Sequence, residues 1–278
     1  MPSQQYTGQK LGSAMKNVTY DVDFLCEEYE EFRNIDNVGP ESIRRFFERT
    51  HSQAAHDMVL LKELIQIDIQ LNWMSWDKSL SAVSEASPSI RLLELFMQIP
   101  RLRDYIQAFP SLAENGTGSI LPLARCELEA RSRWGDAIGC AYYLENYGLL
   151  LEGEFPGTPK LVKCMFDGSS IGRCIPCFVL RGRTILGRQR SRDASDSFCE
   201  ELVDGNRIVI ANKHDTYISR EQIAIQILNS THAIVTNLSA GNSILIANMG
   251  MVQPHQSIVV RFDFVVRLPN RRLHFSAS

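Results

Sequence analysis

Three short segments carry the residue types that hold a small dianion: Gly187-Arg188, Ser219-Arg220-Glu221-Gln222 and Asn237-Leu238-Ser239-Ala240-Gly241-Asn242. Each stands at the end of a short run of β-type residues. A guanidinium forks two N–H donors onto a tetrahedral anion, a hydroxyl adds an O–H, and a carboxamide offers both a donor and an acceptor to a peptide backbone. On that chemistry Arg188 supplies the charge, Ser219 the hydroxyl, and Asn242 or Asn237 the grip on a backbone. Arg220 is a second candidate cation, though a structural arginine paired with a nearby carboxylate or carbonyl fits its position as well. Gly187, Gln222, Asn237, Ser239 and Gly241 are the supporting set. A lone Gly-Arg reads equally well as an ordinary surface arginine; three segments in order favour a site.

Such groups need a rigid scaffold that aims them at one point, and the surrounding residues supply one. Ile223-Ala-Ile-Gln-Ile-Leu228 alternates so that Ile223, Ile225 and Ile227 share a face. Arg207–Ala211, Ala233–Thr236, Ser243–Ala247 and Ser257–Phe262 continue the series of short β runs, with turn clusters between them. Many short strands with loops at both ends predict an antiparallel β-sandwich whose isoleucines and valines are core and whose loops converge at one edge.

The three segments, in this order and spacing, resemble the forkhead-associated (FHA) domain, a family that reads phosphothreonine, over roughly the last hundred residues. The resemblance implies that Arg188 and Ser219 touch a phosphate and that Asn242 bonds the peptide backbone. Two letters depart from the family pattern. Its second motif ends in histidine where this chain has Gln222, whose amide can make similar bonds without titrating. Its third motif ends Asn-Gly where this chain has Gly241-Asn242.

Residues 1–20 read as a flexible lead, 21–150 as a helical domain, 151–170 as a linker rich in glycine and proline, and 171–278 as the sandwich. Leu60, Leu64, Ile67 and Leu71 step at helical period, Pro40 suits a first turn before Ser42–Arg49, Pro100 and Pro110 bracket a short helix, and Gly148 is placed to end the last one. A weak internal repeat relates the stretch from Asp104-Tyr105 to Tyr142-Tyr143, each preceded by an amphipathic helix ending in Trp73 or Trp134, and predicts a small bundle. Arg133-Trp134-Gly135-Asp136 and Tyr105-Ile106 with Phe109-Pro110 make this half similar to the helical region preceding the catalytic domain of planctomycete-type bacterial Ser/Thr kinases. That resemblance implies a bacterial signalling protein. The fold class expected overall is therefore multidomain α + β.

Composition narrows the function classes. Apolar residues at 44% and charged residues at 22% suit a folded chain, and no apolar run approaches the length of a membrane span. The N-terminus lacks the blocks of a signal peptide, so a cytoplasmic address is expected. Seven cysteines without a framework suit reduced thiols, and Cys174-Ile-Pro-Cys177 has no second pair to complete a zinc site. No metal or other cofactor is expected. No kinase, Walker, zinc-protease or Gly-x-Ser-x-Gly motif is present, so no catalytic residue is assigned and the chain is not expected to be an enzyme.

Charge is unevenly divided. Residues 173–278 hold 13 basic against 8 acidic residues and the remainder 16 against 24, with Arg181, Arg183, Arg188, Arg190 and Arg192 inside twelve positions. Such a cluster draws anionic partners. Without an interleaved aromatic platform, nucleic acid is not the expected partner, nor is a membrane. Asp21, Asp23, Glu27, Glu28, Glu30 and Glu31 read as a solvated helix face, with cover of the arginine cluster as the alternative. The expected function is a non-enzymatic signalling adaptor: the sandwich binds a phosphothreonine peptide of a phosphorylated protein, a Ser/Thr kinase or its substrate, and the helical half engages a second partner. The alternative is a phosphate-independent scaffold with a degenerate sandwich.

Overall fold

The computed structural model describes residues 22–33, 39–49, 57–81, 89–151, 160–166, 178–190, 199–202 and 205–277. The lead at 1–20, most of the 151–170 stretch, Arg192 and the Cys174/Cys177 pair lie outside the described residues. Among the described residues eight helices come first: α1 (Val22–Arg33), α2 (Pro40–Arg49), α3 (Met58–Ser81), α4 (Ser89–Met97), α5 (Leu102–Ala108), α6 (Ser111–Glu114), α7 (Thr117–Trp134) and α8 (Cys140–Tyr147). The expected start and stop signals hold. Pro40 opens α2, and Gly148 closes α8 in the left-handed conformation at φ 64°. Asp57 caps α3, its Oδ1 accepting the amides of Val59 at 2.8 Å and Leu60 at 3.2 Å.

Helix α3 is the spine of the bundle. Leu60, Leu61, Leu64, Ile65, Ile69, Trp73, Trp76 and Leu80 are all buried along it. It carries a buried carboxylate, Asp68, which accepts hydrogen bonds from Tyr105 at 2.5 Å and Tyr29 at 3.1 Å and pairs with Arg33. On α7, Glu127 accepts the hydroxyl of Tyr143 at 2.8 Å and the Leu102 amide at 2.9 Å. The repeat thus survives as chemistry: Tyr105 and Tyr143 each satisfy a buried carboxylate on a long helix. The tryptophans do not match, since Trp73 is fully buried and Trp134 only half so. Gly135 and Asp136 have packing roles, for a Cβ at Gly135 would lie 2.5 Å from the Trp73 ring. Asp136 accepts a fork from Arg131, at 2.8 Å and 2.7 Å.

The strands are β1 (Lys160–Phe166), β2 (Phe178–Leu180), β3 (Arg183–Arg188), β4 (Cys199–Leu202), β5 (Gly205–Ala211), β6 (Ile223–Ile227), β7 (His232–Asn237), β8 (Ile244–Ile246), β9 (Gly250–Val252), β10 (Ser257–Arg261), β11 (Phe264–Leu268) and β12 (Arg271–Ala277). Among the described residues they form two six-stranded sheets, ordered β2-β1-β12-β11-β8-β9 and β10-β7-β6-β3-β5-β4. Ile223, Ile225 and Ile227 enter the core between them with Leu186, Ile208, Ile210, Val235, Val266 and Phe275. The whole is an α + β architecture with a sandwich at its C-terminal end.

Two expectations need correction. Lys160–Phe166, inside the stretch read as linker, is strand β1, hydrogen-bonded between β2 and β12. Glycines and prolines on either side disguise it, yet a seven-residue run without either can pair along its full length with β12. The sandwich is also not wholly antiparallel, because β3 and β5 run parallel. The hairpin β4–β5 reverses the chain beyond β3, so β5 returns in the direction of β3.

The helices and the sandwich share apolar packing. Leu228, Ile234 and Val259 belong to the same buried cluster as the helical residues. Trp76 Nε1 donates to the Leu228 carbonyl at 2.8 Å, Asn229 donates to Asp77 at 2.7 Å, and the Gly182 amide donates to the Asp136 carbonyl at 2.8 Å. Ser89 Oγ reaches the Ser257 carbonyl on the edge strand β10 at 2.9 Å. Glu27, Glu30 and Glu31 of α1 are exposed, in keeping with a solvated face.

Candidate functional site

Strands β3, β6 and β7 place the three segments at one end of the second sheet: Arg188 closes β3, Gln222 precedes β6 and Asn237 closes β7. Gly187 is required by close approach. A Cβ there would sit 2.0 Å from the Arg220 carbonyl oxygen and 2.5 Å from its carbon, so only glycine lets the 219–222 segment lie against β3. That contact is stitched by the Arg188 amide donating to the Ser219 carbonyl at 2.9 Å and the Gln222 amide donating to the Leu186 carbonyl at 2.8 Å.

Inside the loop, Gln222 is 1% exposed, and its Oε1 accepts the Ser219 amide at 2.9 Å. The amide side chain thus braces the turn. Ahead of Ser219, residues 212–218 are held by two side-chain turns, Asn212 Oδ1 accepting the His214 amide and Asp215 Oδ1 the Tyr217 amide. Ile218 is plugged into the core, and Asp215 pairs with the buried Arg271 and with Asn270. An eleven-residue connection between β5 and β6 is therefore a shaped loop.

The third segment is built around two buried polar residues. Asn237 is fully buried, donating to the carbonyls of Asn242 at 2.8 Å and Val252 at 3.0 Å while its Oδ1 accepts the Ser239 amide at 3.1 Å. Its side chain is committed to the loop and not open to a ligand. Ser239, 1% exposed, accepts the amides of Gly241 at 3.4 Å and Asn242 at 3.1 Å and the Ser219 hydroxyl at 3.3 Å. Ser239 therefore joins the second and third segments. Asn242 is exposed, with its Nδ2 3.4 Å from the Tyr217 carbonyl, and Gly241 is exposed.

The four leading candidates thus lie at one end of the sheet. Arg188 is half-buried, its Nη1 donating to the Lys213 carbonyl at 2.7 Å while its Nε is buried with no hydrogen-bond partner. Among the described residues no carboxylate pairs with it. Arg220 is exposed, and among the described residues no ion pair or hydrogen bond of its side chain is found. Arg190 pairs with Glu221 across the rim. The sequence reading missed Arg207, whose guanidinium donates to the Arg188 carbonyl at 2.9 Å. A charged residue heading the apolar run Ile208-Val209-Ile210-Ala211 was the available signal. Among the described residues no cluster of histidine, cysteine or carboxylate side chains could hold a metal ion. Among the described residues no helix is long and apolar enough to cross a membrane.

No protein-family model matches the chain, and no curated protein matches it. Solved structures, several of them FHA domains, are similar to part of the chain. The FhaA FHA domain, crystallised with the intracellular domain of Rv3910, is 22% identical, with 41% of this chain and 98% of that one covered and a TM-score of 0.27. The FHA domain of CT664 from Chlamydia trachomatis is 17% identical over 42% of this chain and 98% of that one, with a TM-score of 0.29. Full-length yeast Pml1p is 15% identical over 51% of this chain and 94% of that one, with a TM-score of 0.31.

Proposed function

We propose that the loop end of the sandwich binds a phosphothreonine peptide and that the chain is a non-enzymatic signalling adaptor whose helical half orients the sandwich and engages a second partner. One observation carries the reading: Arg188 and Arg220 stand at the junction of three braced loops with no carboxylate on either among the described residues. An arginine held in place by neighbouring backbone can meet an anion with little further ordering. Arg188 forks onto the phosphate, the Ser219 hydroxyl turns from Ser239 to a phosphate oxygen, Arg220 adds a second charge, and the Asn242 amide exchanges the Tyr217 carbonyl for the peptide backbone. Each charge-assisted bond contributes about 1.5 to 3 kcal/mol, so a few suffice for micromolar affinity.

The helices support this arrangement by where they attach. Gly182, Leu228 and Asn229, which they bond, lie at the ends of β3 and β6 opposite to Arg188 and Gln222, about 17 Å away at the usual strand rise. A fourth helix bond, from Ser89 to the Ser257 carbonyl, falls at the loop end on the edge strand β10, where Ser257 pairs with Thr236.

Calorimetric titration of the full chain with a degenerate phosphothreonine peptide pool and its unphosphorylated twin tests the reading. The full chain is used because a cut at 171 removes β1 from its sheet. Binding to the phosphorylated pool alone is expected. Equal binding to both pools, or partners that survive phosphatase treatment, would move the function to the phosphate-independent scaffold.

A further inference from the structure

Arg207 is 2% exposed, which makes it, with Trp73, one of the largest fully buried side chains of the molecule. It alternates along β5 with Ile208 and Ile210, which enter the sandwich core, so it lies on the outer face of its sheet. Taking a guanidinium out of water costs several kcal/mol, and an apolar residue would serve a strand better. Its Nη2 donates to the Arg188 carbonyl at 2.9 Å.

That carbonyl belongs to an irregular stretch. The β3–β5 register shifts between Gly187 and Arg188: Gly187 faces Val209, but Arg188 faces Ala211, where regular pairing would bring Ile210. A bulge of this kind re-aims a side chain and takes its backbone out of the ladder. The backbone of Arg188 is then held from two sides, its amide by the Ser219 carbonyl at 2.9 Å and its carbonyl by Arg207.

We propose that Arg207 is a positioning residue for the phosphopeptide site, fixing the bulged backbone that aims the Arg188 guanidinium. This rests on the peptide-binding reading above. Arg207 touches no ligand; it acts by limiting the directions Arg188 takes before the ligand arrives, so that less ordering is left to the binding step.

The test is a double-mutant cycle in the full chain with a phosphothreonine peptide selected from the pool. Arg207→Met should weaken binding by up to about tenfold, because the ordering of one more side chain is left to the binding step. Arg207→Lys, which keeps a donor for the same carbonyl, should recover most of it. In an Arg188→Lys background, Arg207→Met should add no more than about twofold, because the fork it aims is already gone. If Met at this buried position unfolds the chain, Arg207→Gln is measured against the same criteria. Undiminished affinity in the Arg207 variant, or an equal loss in both backgrounds, overturns the assignment while the peptide-binding reading stands. A wild-type chain that does not bind the peptide overturns both.

Discussion

The helical half and the loop end of the sandwich treat charge in opposite ways. Between the helices, charged groups are buried and answered: Asp68 by Arg33, Tyr29 and Tyr105, Asp136 by the fork of Arg131, Glu127 by Tyr143 and a backbone amide. Arg131 also lies over the rings of Tyr142 and Trp73. At the loop end the neutral polar residues are buried and answered, as Gln222, Asn237 and Ser239 are, while the cations Arg188 and Arg220 are left without carboxylates among the described residues. Satisfied charge builds a framework; under the proposed function the loop end keeps its cations for a ligand.

The comparison breaks most sharply at its buried pair. Asp136→Ala leaves Arg131 without its partner in the core, and denaturant unfolding should show a loss of about 3 to 5 kcal/mol. The chain that remains folded should bind phosphopeptide as before. Gly187→Ala comes next: a methyl group 2.0 Å from a backbone oxygen must push the 219–222 segment off β3. It should cost about 1 to 3 kcal/mol in the same assay and weaken peptide binding more than tenfold. Arg188→Ala should separate the two properties in the other direction, abolishing calorimetric binding with a stability change of about 1 kcal/mol or less. Arg220→Ala, at an exposed position, should lower affinity about two- to fivefold and leave the melting temperature unchanged.

Acid sharpens the same contrast. Burial alone would raise the Asp136 carboxyl, but the Arg131 charge and its hydrogen bonds outweigh that and hold the group below the ordinary carboxylate range. Its folded value is lower than its unfolded value of about 4, so its contribution is fully present above that pH and is lost as pH falls through the folded value. Unfolding free energy should therefore decline below about pH 4, and Asp136→Asn should flatten that decline in an acid titration followed by circular dichroism.

What could be read beforehand was what local pattern encodes. The period of Leu60, Leu64, Ile67 and Leu71, the alternation of Ile223, Ile225 and Ile227, and the caps at Pro40 and Gly148 depend on neighbours in sequence. Strand β1 depends on a partner more than a hundred residues away, and nothing local separates it from its glycine-rich surroundings. The site divides along the same line. Arg188, Ser219, Arg220 and Asn242 carry their chemistry in their type, and the structure brings them to one end of the sandwich. Arg207 left only the signal of a charge heading an apolar run, because its part depends on a register shift and on burial that only the assembled sheet creates. Asn237 was half-legible: its type suits a peptide backbone, but its amide is spent on Asn242 and Val252.

The most direct test follows individual arginine side chains by NMR while the full chain is titrated with a phosphothreonine peptide. The account predicts that the Nε–H signals of Arg188 and Arg220 shift in a saturable way, that the unphosphorylated peptide moves neither, and that Arg131 stays where it is. Unmoved Arg188 and Arg220 signals at saturating phosphopeptide would contradict it.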